Sequence, residues 1–190
     1  ASAGRLEGID ACDVLLSSGE ESVDATQAPR LVAAEANLDK VHFIAPASDD
    51  DWGLTLPDDI AELAKMIQHT GARIVIIDPI TTHLASGVDS HKDAEIRRAV
   101  APLATLAHAL GITIVIVAHL NKSESADLYV RLAGSSGFYN LARSVLLLTK
   151  DPEADEDDNA ARLLTHGKCN VGPQQPALRL RVVGATIQNA

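Results

Sequence analysis

Three polar clusters in this chain stand just past short aliphatic runs, and their residue types suit phosphate and metal chemistry. Glu20 and Glu21 follow Asp13–Ser17, Asp78 follows Ile74–Ile77, and His119, Asn121 and Lys122 follow Ile112–Val117. A carboxylate fixed at a strand end can hold Mg2+ through water, because Mg2+ takes oxygen ligands and keeps several waters. A second carboxylate nearby can orient and deprotonate an attacking water. A neutral His or an amide can sense a terminal phosphate by hydrogen bonding. For Asp78 a plainer role stays open on these residues alone: Asp-Pro often opens a turn, and the carboxylate would then cap it.

The elements that must position these groups are readable as alternating strand and helix patterns. Ile74-Val-Ile-Ile77 is an unbroken β-branched run, as expected of a strand buried on both faces of a parallel sheet. Pro79 cannot donate to a ladder and ends it. Ile112–Val117 predicts a second buried strand, Asp13–Ser17 a short one, and Lys40–Ile44 another. Between them, Pro29 predicts the regular start of a helix within Asp24–Ala36, and Leu56-Pro57-Asp58-Asp59 a second helix start. Ile60, Leu63, Ala64 and Ile67 keep helical spacing up to Gly71. Asp93 leads a long helix with Ile96, Val100, Leu103, Ala107 and Leu110 on one face and Gly111 as its stop. Strand, helix, strand in this order predicts an α/β fold with a mostly parallel sheet and right-handed crossovers. The carboxyl ends of neighbouring strands would then share one edge, where such sheets bind ligands.

Further along, Ser123–Asn140 has no clear period and predicts a mobile loop with a short helix. Ser144–Thr149, Arg162–Asn170 and Ala177–Val183 predict strands, the last two as antiparallel edge strands. Asp151–Asn159 carries six acids and predicts a solvated hairpin loop.

Composition narrows the class. At 190 residues the chain fits one domain, with an aliphatic core, since apolar residues make 46% but aromatics only 3%. The formal charge of 16 − 26 = −10 excludes a generally basic surface, so any nucleic-acid contact needs a local basic patch. Two isolated cysteines, Cys12 and Cys169, give neither a disulfide framework nor a zinc site, and a reducing cytoplasm fits. No apolar run reaches the roughly 18 residues of a membrane span. Gly134-Ser-Ser-Gly137 lacks the Gly-x-Ser-x-Gly spacing of a serine hydrolase. His42, His69 and His108 read as ordinary core-edge or surface residues. Ala1–Gly8 has no initiator Met, and the chain is expected to begin inside a larger protein.

With these elements in place, five segments resemble the RecA-like ATPase domain, and most of all the RepA-type hexameric replicative helicases and related primase-associated ATPases. They are Val14-Leu-Leu-Ser-Ser-Gly-Glu20-Glu-Ser22, Ile74-Val-Ile-Ile-Asp78-Pro, Val117-Ala-His-Leu-Asn-Lys122, Gly134-Ser with Ala142-Arg-Ser-Val, and Gly167-Lys-Cys-Asn170. The resemblance implies that Asp78 is the Walker B aspartate holding Mg2+ through water. It implies that Glu20 is the catalytic glutamate, with Glu21 beside it confusing the register, and that His119 is the γ-phosphate sensor. Arg143, or Lys168 with Asn170, would reach across a subunit boundary as an arginine finger and its partner. For Arg143 a surface ion pair is an equal reading.

The cofactors so implied are ATP and Mg2+, and the partners a second copy in a ring such as a hexamer, single-stranded DNA, and a primase or other replication protein. DNA-facing loops would hold His83, His91, Lys92, Lys122 and Arg131, with Arg97 and Arg98 on the next helix; each could equally be a solvated charge. The resemblance fails at one place: no Gly-x-x-x-x-Gly-Lys-[Ser/Thr] occurs in the 190 residues. The chain is therefore expected to be one RecA-like core over residues 1–190, lacking the P-loop strand and helix, and a fragment with little activity of its own. A degenerate docking or oligomerisation module and a recombination or repair ATPase are the alternatives.

Overall fold

The runs that precede the candidate polar groups do form strands, and they lie side by side. In the computed structural model, which describes residues 10–44, 53–90, 92–119 and 137–187, the chain separates into two compact units, Ala1–Gly137 and Phe138–Ala190.

The first unit is built on β1 (Val14–Ser18), β2 (Val41–Phe43), β3 (Ile74–Asp78) and β4 (Thr113–Ile116). All pair in parallel in the order β2-β1-β3-β4. From β1 the chain steps to one side to reach β2, and from β3 it steps to the other side to reach β4. The direction of winding thus reverses between β1 and β3, the topological switch point where open α/β sheets leave a crevice. Register sets the depth of that crevice, with Ser18 opposite Asp78 and Ile77 opposite Ile116.

The sheet is flanked by helices. A π-helical turn, Val23–Gln27, runs into α1 (Ala28–Ala33), with Pro29 in its first turn as expected. Helix α2 (Ile60–Thr70) begins at Ile60, just past Leu56–Asp59, and α3 spans Asp93–Leu110. Gly71 and Gly111 stop α2 and α3 in the left-handed conformation, with φ of 69° and 64°. A residue with a Cβ is strained there, which is why the stops were readable. The α3 stripe is Ile96, Ala99, Val100, Leu103 and Leu106. Ala107 and Leu110, expected on it, are only half-buried, because successive 3- and 4-residue steps carry the stripe through Leu106 instead.

Two expectations about burial need correction. In β3, Val75 and Ile77 are fully buried, while Ile74 and Ile76 on the opposite face are only partly covered. In β4, the edge strand of the four-stranded sheet among the described residues, Thr113 and Val115 are exposed, because they share a face that no described element covers. Burying a side chain such as Ile77 contributes about 1.5–3 kcal/mol, so the buried set that includes Leu15, Leu63, Val75, Ile77, Ile96 and Leu103 carries much of the unit's stability.

The second unit opens within α4 (Gly137–Leu141), at Phe138, followed by β5 (Ser144–Lys150), β6 (Ala161–Cys169) and β7 (Leu178–Arg181) in an antiparallel sheet of order β5-β6-β7. The late strands are antiparallel as the sequence predicted, and they form a sheet of their own. A bulge between Val145 and Leu146 leaves Gly167 as the extra residue on β6, where an added Cβ would come within 2.9 Å of the Leu147 side chain. The acid-rich hairpin loop is not merely solvated. Asp151 is buried, pairs with Arg179 Nε at 3.0 Å and accepts the Glu153 amide. Asp158 accepts the amides of Ala160 and Ala161 and pairs with Arg181 at 2.8 Å.

Candidate functional site

Three strand ends, those of β1, β3 and β4, place Glu20, Asp78 and His119 along one edge of the parallel sheet. Main-chain hydrogen bonds tie the ends together. The Gly19 amide donates to the Asp78 carbonyl at 3.1 Å, the Val117 amide to Ile77 and the Ile80 amide to Val117, both at 2.9 Å. Gly19 is buried at the closest approach: a Cβ there would lie 2.8 Å from Thr82 Cβ. Thr82 is held in place by its own hydroxyl, which donates to the Pro79 carbonyl. Glycine at position 19 is what lets the two strand ends meet.

Side chains then divide the neighbouring acids. Glu20 points to His119, with Oε2 3.6 Å from Nε2, and both are well exposed. Glu21 is engaged elsewhere: Arg30 Nη1 donates to both of its carboxylate oxygens at 2.6 and 2.7 Å. Its backbone carbonyl accepts from the buried Gln27. Asp78 is half-buried, and burial pushes its carboxyl above the usual range; His119 and, less, His83 partly offset this, while Glu20 and Glu21 add to it. A carboxylate so destabilised by burial and by neighbouring acids has its charge relieved by a cation. The oxygen-only set of Asp78 and Glu20 fits a hard cation such as Mg2+. Among the described residues no three His, Cys, Asp or Glu side chains group to ligate a metal directly. A hydrated ion held through water does not require such a group. Nothing comparable is present for a triphosphate, since the glycine-rich lysine motif is missing from the sequence.

His83, expected among DNA-facing residues, is buried. Its Nδ1 lies 3.0 Å from the Leu54 carbonyl and its Nε2 3.5 Å from Ser17 Oγ. A buried, internally bonded ring cannot meet a polymer in solvent. Lys92 is exposed but paired with Asp89 and Glu95, and Arg97 and Arg98 are exposed on α3. His91, Asn121, Lys122 and Arg131 lie outside the described residues, as do Gly134, Ser135 and Ser136.

The second unit holds the other candidates apart from one another. Arg143 is exposed, and its guanidinium makes no hydrogen bond or ion pair among the described residues, so the surface ion pair read for it is not found. The Asn170 amide donates to the Arg143 carbonyl at 2.8 Å. Lys168, re-aimed by the Gly167 bulge, donates to the carbonyls of Tyr139 and Asn140 at 2.8 and 3.1 Å and sits 5.2 Å from the Tyr139 ring. It neutralises the carbonyl end of α4, a structural task. Sequence reasoning gave no role to Gly19 or Arg30 and placed His83 in a DNA-facing loop. Only Gly19, between a strand and two acids, carried a local signal.

A parallel α/β sheet with acids at its switch point is the arrangement of open α/β folds that bind ligands at a sheet edge, and comparison with known proteins narrows it. The AAA domain family matches residues 4–125, a span that contains Glu20, Asp78 and His119, and the chain belongs to that family. No curated protein sequence matches it. Among solved structures, the RadB recombinase aligns with a TM-score of 0.58 and 16% identity, over 90% of this chain and 76% of that one. An ATPase domain aligns with a TM-score of 0.64 and 15% identity, over 90% and 72%. A DnaB-like replicative helicase, solved with attention to its interactions with primase, aligns with a TM-score of 0.65 and 16% identity; the chain spans half of its length. These likenesses establish the RecA-like fold. No described helix is long and apolar enough to cross a membrane.

Proposed function

We propose that this chain is the core of a DNA-handling ATPase of the replicative-helicase type, with the Mg-nucleotide site at the ends of β1, β3 and β4. The observation that carries the reading is the convergence of Glu20, Asp78 and His119 at the switch point, within the span matched by the AAA domain family. In this reading Asp78 holds hydrated Mg2+, which supplies positive charge against phosphate oxygens. Glu20 orients and deprotonates the attacking water. Its support over Glu21 is that Glu21 is locked onto Arg30. His119, paired with Glu20, reports on the terminal phosphate.

Arg143 is the better candidate for a finger reaching a neighbouring copy, since its guanidinium is free among the described residues while Lys168 is engaged. Lys168 and Asn170 then shape its base. A ring such as a hexamer, ATP, single-stranded DNA met by Lys92, Lys122 and Arg131, a primase-type partner and a cytoplasmic setting complete the proposal. They find support in the helicase and recombinase likenesses. The alternatives are a non-catalytic docking or oligomerisation module and a recombination or repair ATPase of the same fold.

The experiment is Mn2+ binding, as a Mg2+ probe, read by water-proton relaxation on the 190-residue protein. Asp78→Asn and Glu20→Gln should each weaken binding by about tenfold, and Glu21→Gln should leave it within about twofold. Equal affinities in all four proteins would overturn the assignment and leave the docking module.

A further inference from the structure

The proposed reaction makes no use of His83, yet among the described residues His83 and Ser17 form a buried polar pair beside the site. Both are essentially inaccessible, as are Leu54, Leu56, Pro79 and Ile80 in the segments that hold them, and the ring lies within the field of Asp78. The Leu54 carbonyl can only accept, so Nδ1 of His83 carries the ring proton and donates at 3.0 Å. Nε2 is then the lone-pair nitrogen, and the Ser17 hydroxyl donates to it at 3.5 Å. Burial favours the same neutral ring by lowering its proton affinity.

The main chain around His83 is fixed as firmly as the ring. Its carbonyl accepts the Leu56 amide at 2.7 Å, and the Ala85 amide donates back to the Leu56 carbonyl at 2.9 Å. Leu56 and Leu84 pair as an isolated bridge. The residue before His83 is Thr82, whose side chain fills the space over Gly19. One turn, Ile80–His83, therefore touches both strand ends that carry acids: Asp78 lies just before it, and Ser17 lies three residues before Glu20.

We propose that His83 is a positioning residue for the strand-end carboxylates. Its ring ties Ser17 of β1 to Leu54, and so sets where Glu20 and Asp78 stand relative to each other. This role rests on the Mg-nucleotide reading of the site. An apolar residue of similar size would fill the volume but leave the Leu54 carbonyl and the Ser17 hydroxyl buried and unpaired. Histidine is suited to position 83 because its two nitrogens, on opposite sides of a rigid ring, can donate to one partner while accepting from the other.

The test uses three variants. His83→Phe keeps bulk and removes both bonds. Ser17→Ala removes only the hydroxyl. His83→Asn places an amide N–H where Nδ1–H stood. Two readouts are taken on folded protein, checked by circular dichroism: the carboxyl titration of Asp78 by 13C NMR, and Mn2+ affinity. In His83→Phe and Ser17→Ala the Asp78 titration should shift away from its wild-type position, and Mn2+ affinity should fall about tenfold. His83→Asn should restore most of both. Wild-type values for both readouts in His83→Phe and Ser17→Ala overturn the proposal, and if His83→Phe does not fold, the same result in Ser17→Ala alone overturns it. Asp78→Asn serves as the separate control. If it leaves Mn2+ affinity unchanged, the metal reading fails while the Asp78 titration still decides the role of His83.

Discussion

Acids are dense in both units, but the two units treat them differently. In the antiparallel unit, the loop after β5 has six acids in nine residues, and its buried member, Asp151, is neutralised by Arg179 while Asp158 is neutralised by Arg181 and two amides. Lys168 is likewise absorbed by the carbonyl end of α4. In the parallel unit, Asp78 has no cation bonded to it among the described residues, and Glu20 meets a histidine at 3.6 Å. Charge density therefore does not mark a site. What marks one is charge held by the main chain at a strand end and left without a close internal partner.

The comparison can be broken from the side of the scaffold first. Ile77→Ala removes a fully buried side chain one residue before Asp78 and should cost about 2–5 kcal/mol. Urea denaturation gives the loss, and amide exchange should show it in β1 and β3 while β5–β7 keep their protection. A smaller effect is expected from Gly19→Val, about 1–3 kcal/mol, because the new side chain collides with Thr82 and forces the two strand ends apart. Thr82→Ala in the same protein should recover part of that loss. On the other side, Asp151→Ala should cost about 1–2 kcal/mol and loosen only the hairpin loop, read as faster exchange of the Glu153 and Ala154 amides.

The smallest effect has the opposite sign. Asp78 binds its proton more tightly folded than unfolded, so ionising it costs stability once the pH exceeds its unfolded value. Asp78→Asn should therefore raise the melting midpoint at pH 7 by about 1–2 °C. The gain should shrink as the pH falls through the folded-state value and vanish below about 4, where wild-type Asp78 is protonated in both states. An Asp151→Asn change should lower the midpoint instead, since that acid has Arg179.

Much of the parallel unit was legible because its signals are local. Four β-branched residues followed by Asp-Pro fixed the end of β3, and Gly71 and Gly111 stopped their helices for a backbone reason. The strand ends carrying Glu20, Asp78 and His119 followed from those elements. Long-range choices were not legible. Whether Glu20 or Glu21 faces the crevice is decided by Arg30, nine residues on. His83 looks like a loop charge until Leu54, 29 residues earlier, folds over it. Asp151 resembles its acidic neighbours until β7 brings Arg179 beside it. The shift of the α3 stripe to Leu106, and the exposure of β4, likewise depend on which faces other elements cover.

The most direct test of the account sets the two acidic regions against each other. Mn2+ added to 15N-labelled protein broadens the resonances nearest to where it binds. The account predicts loss of signal first at Ser18–Glu21, Ile80 and Val117–His119, abolished by Asp78→Asn, with Asp155–Asp158 unaffected at the same concentration. Broadening that begins at Asp155–Asp158 and spares the ends of β1 and β3 would contradict it.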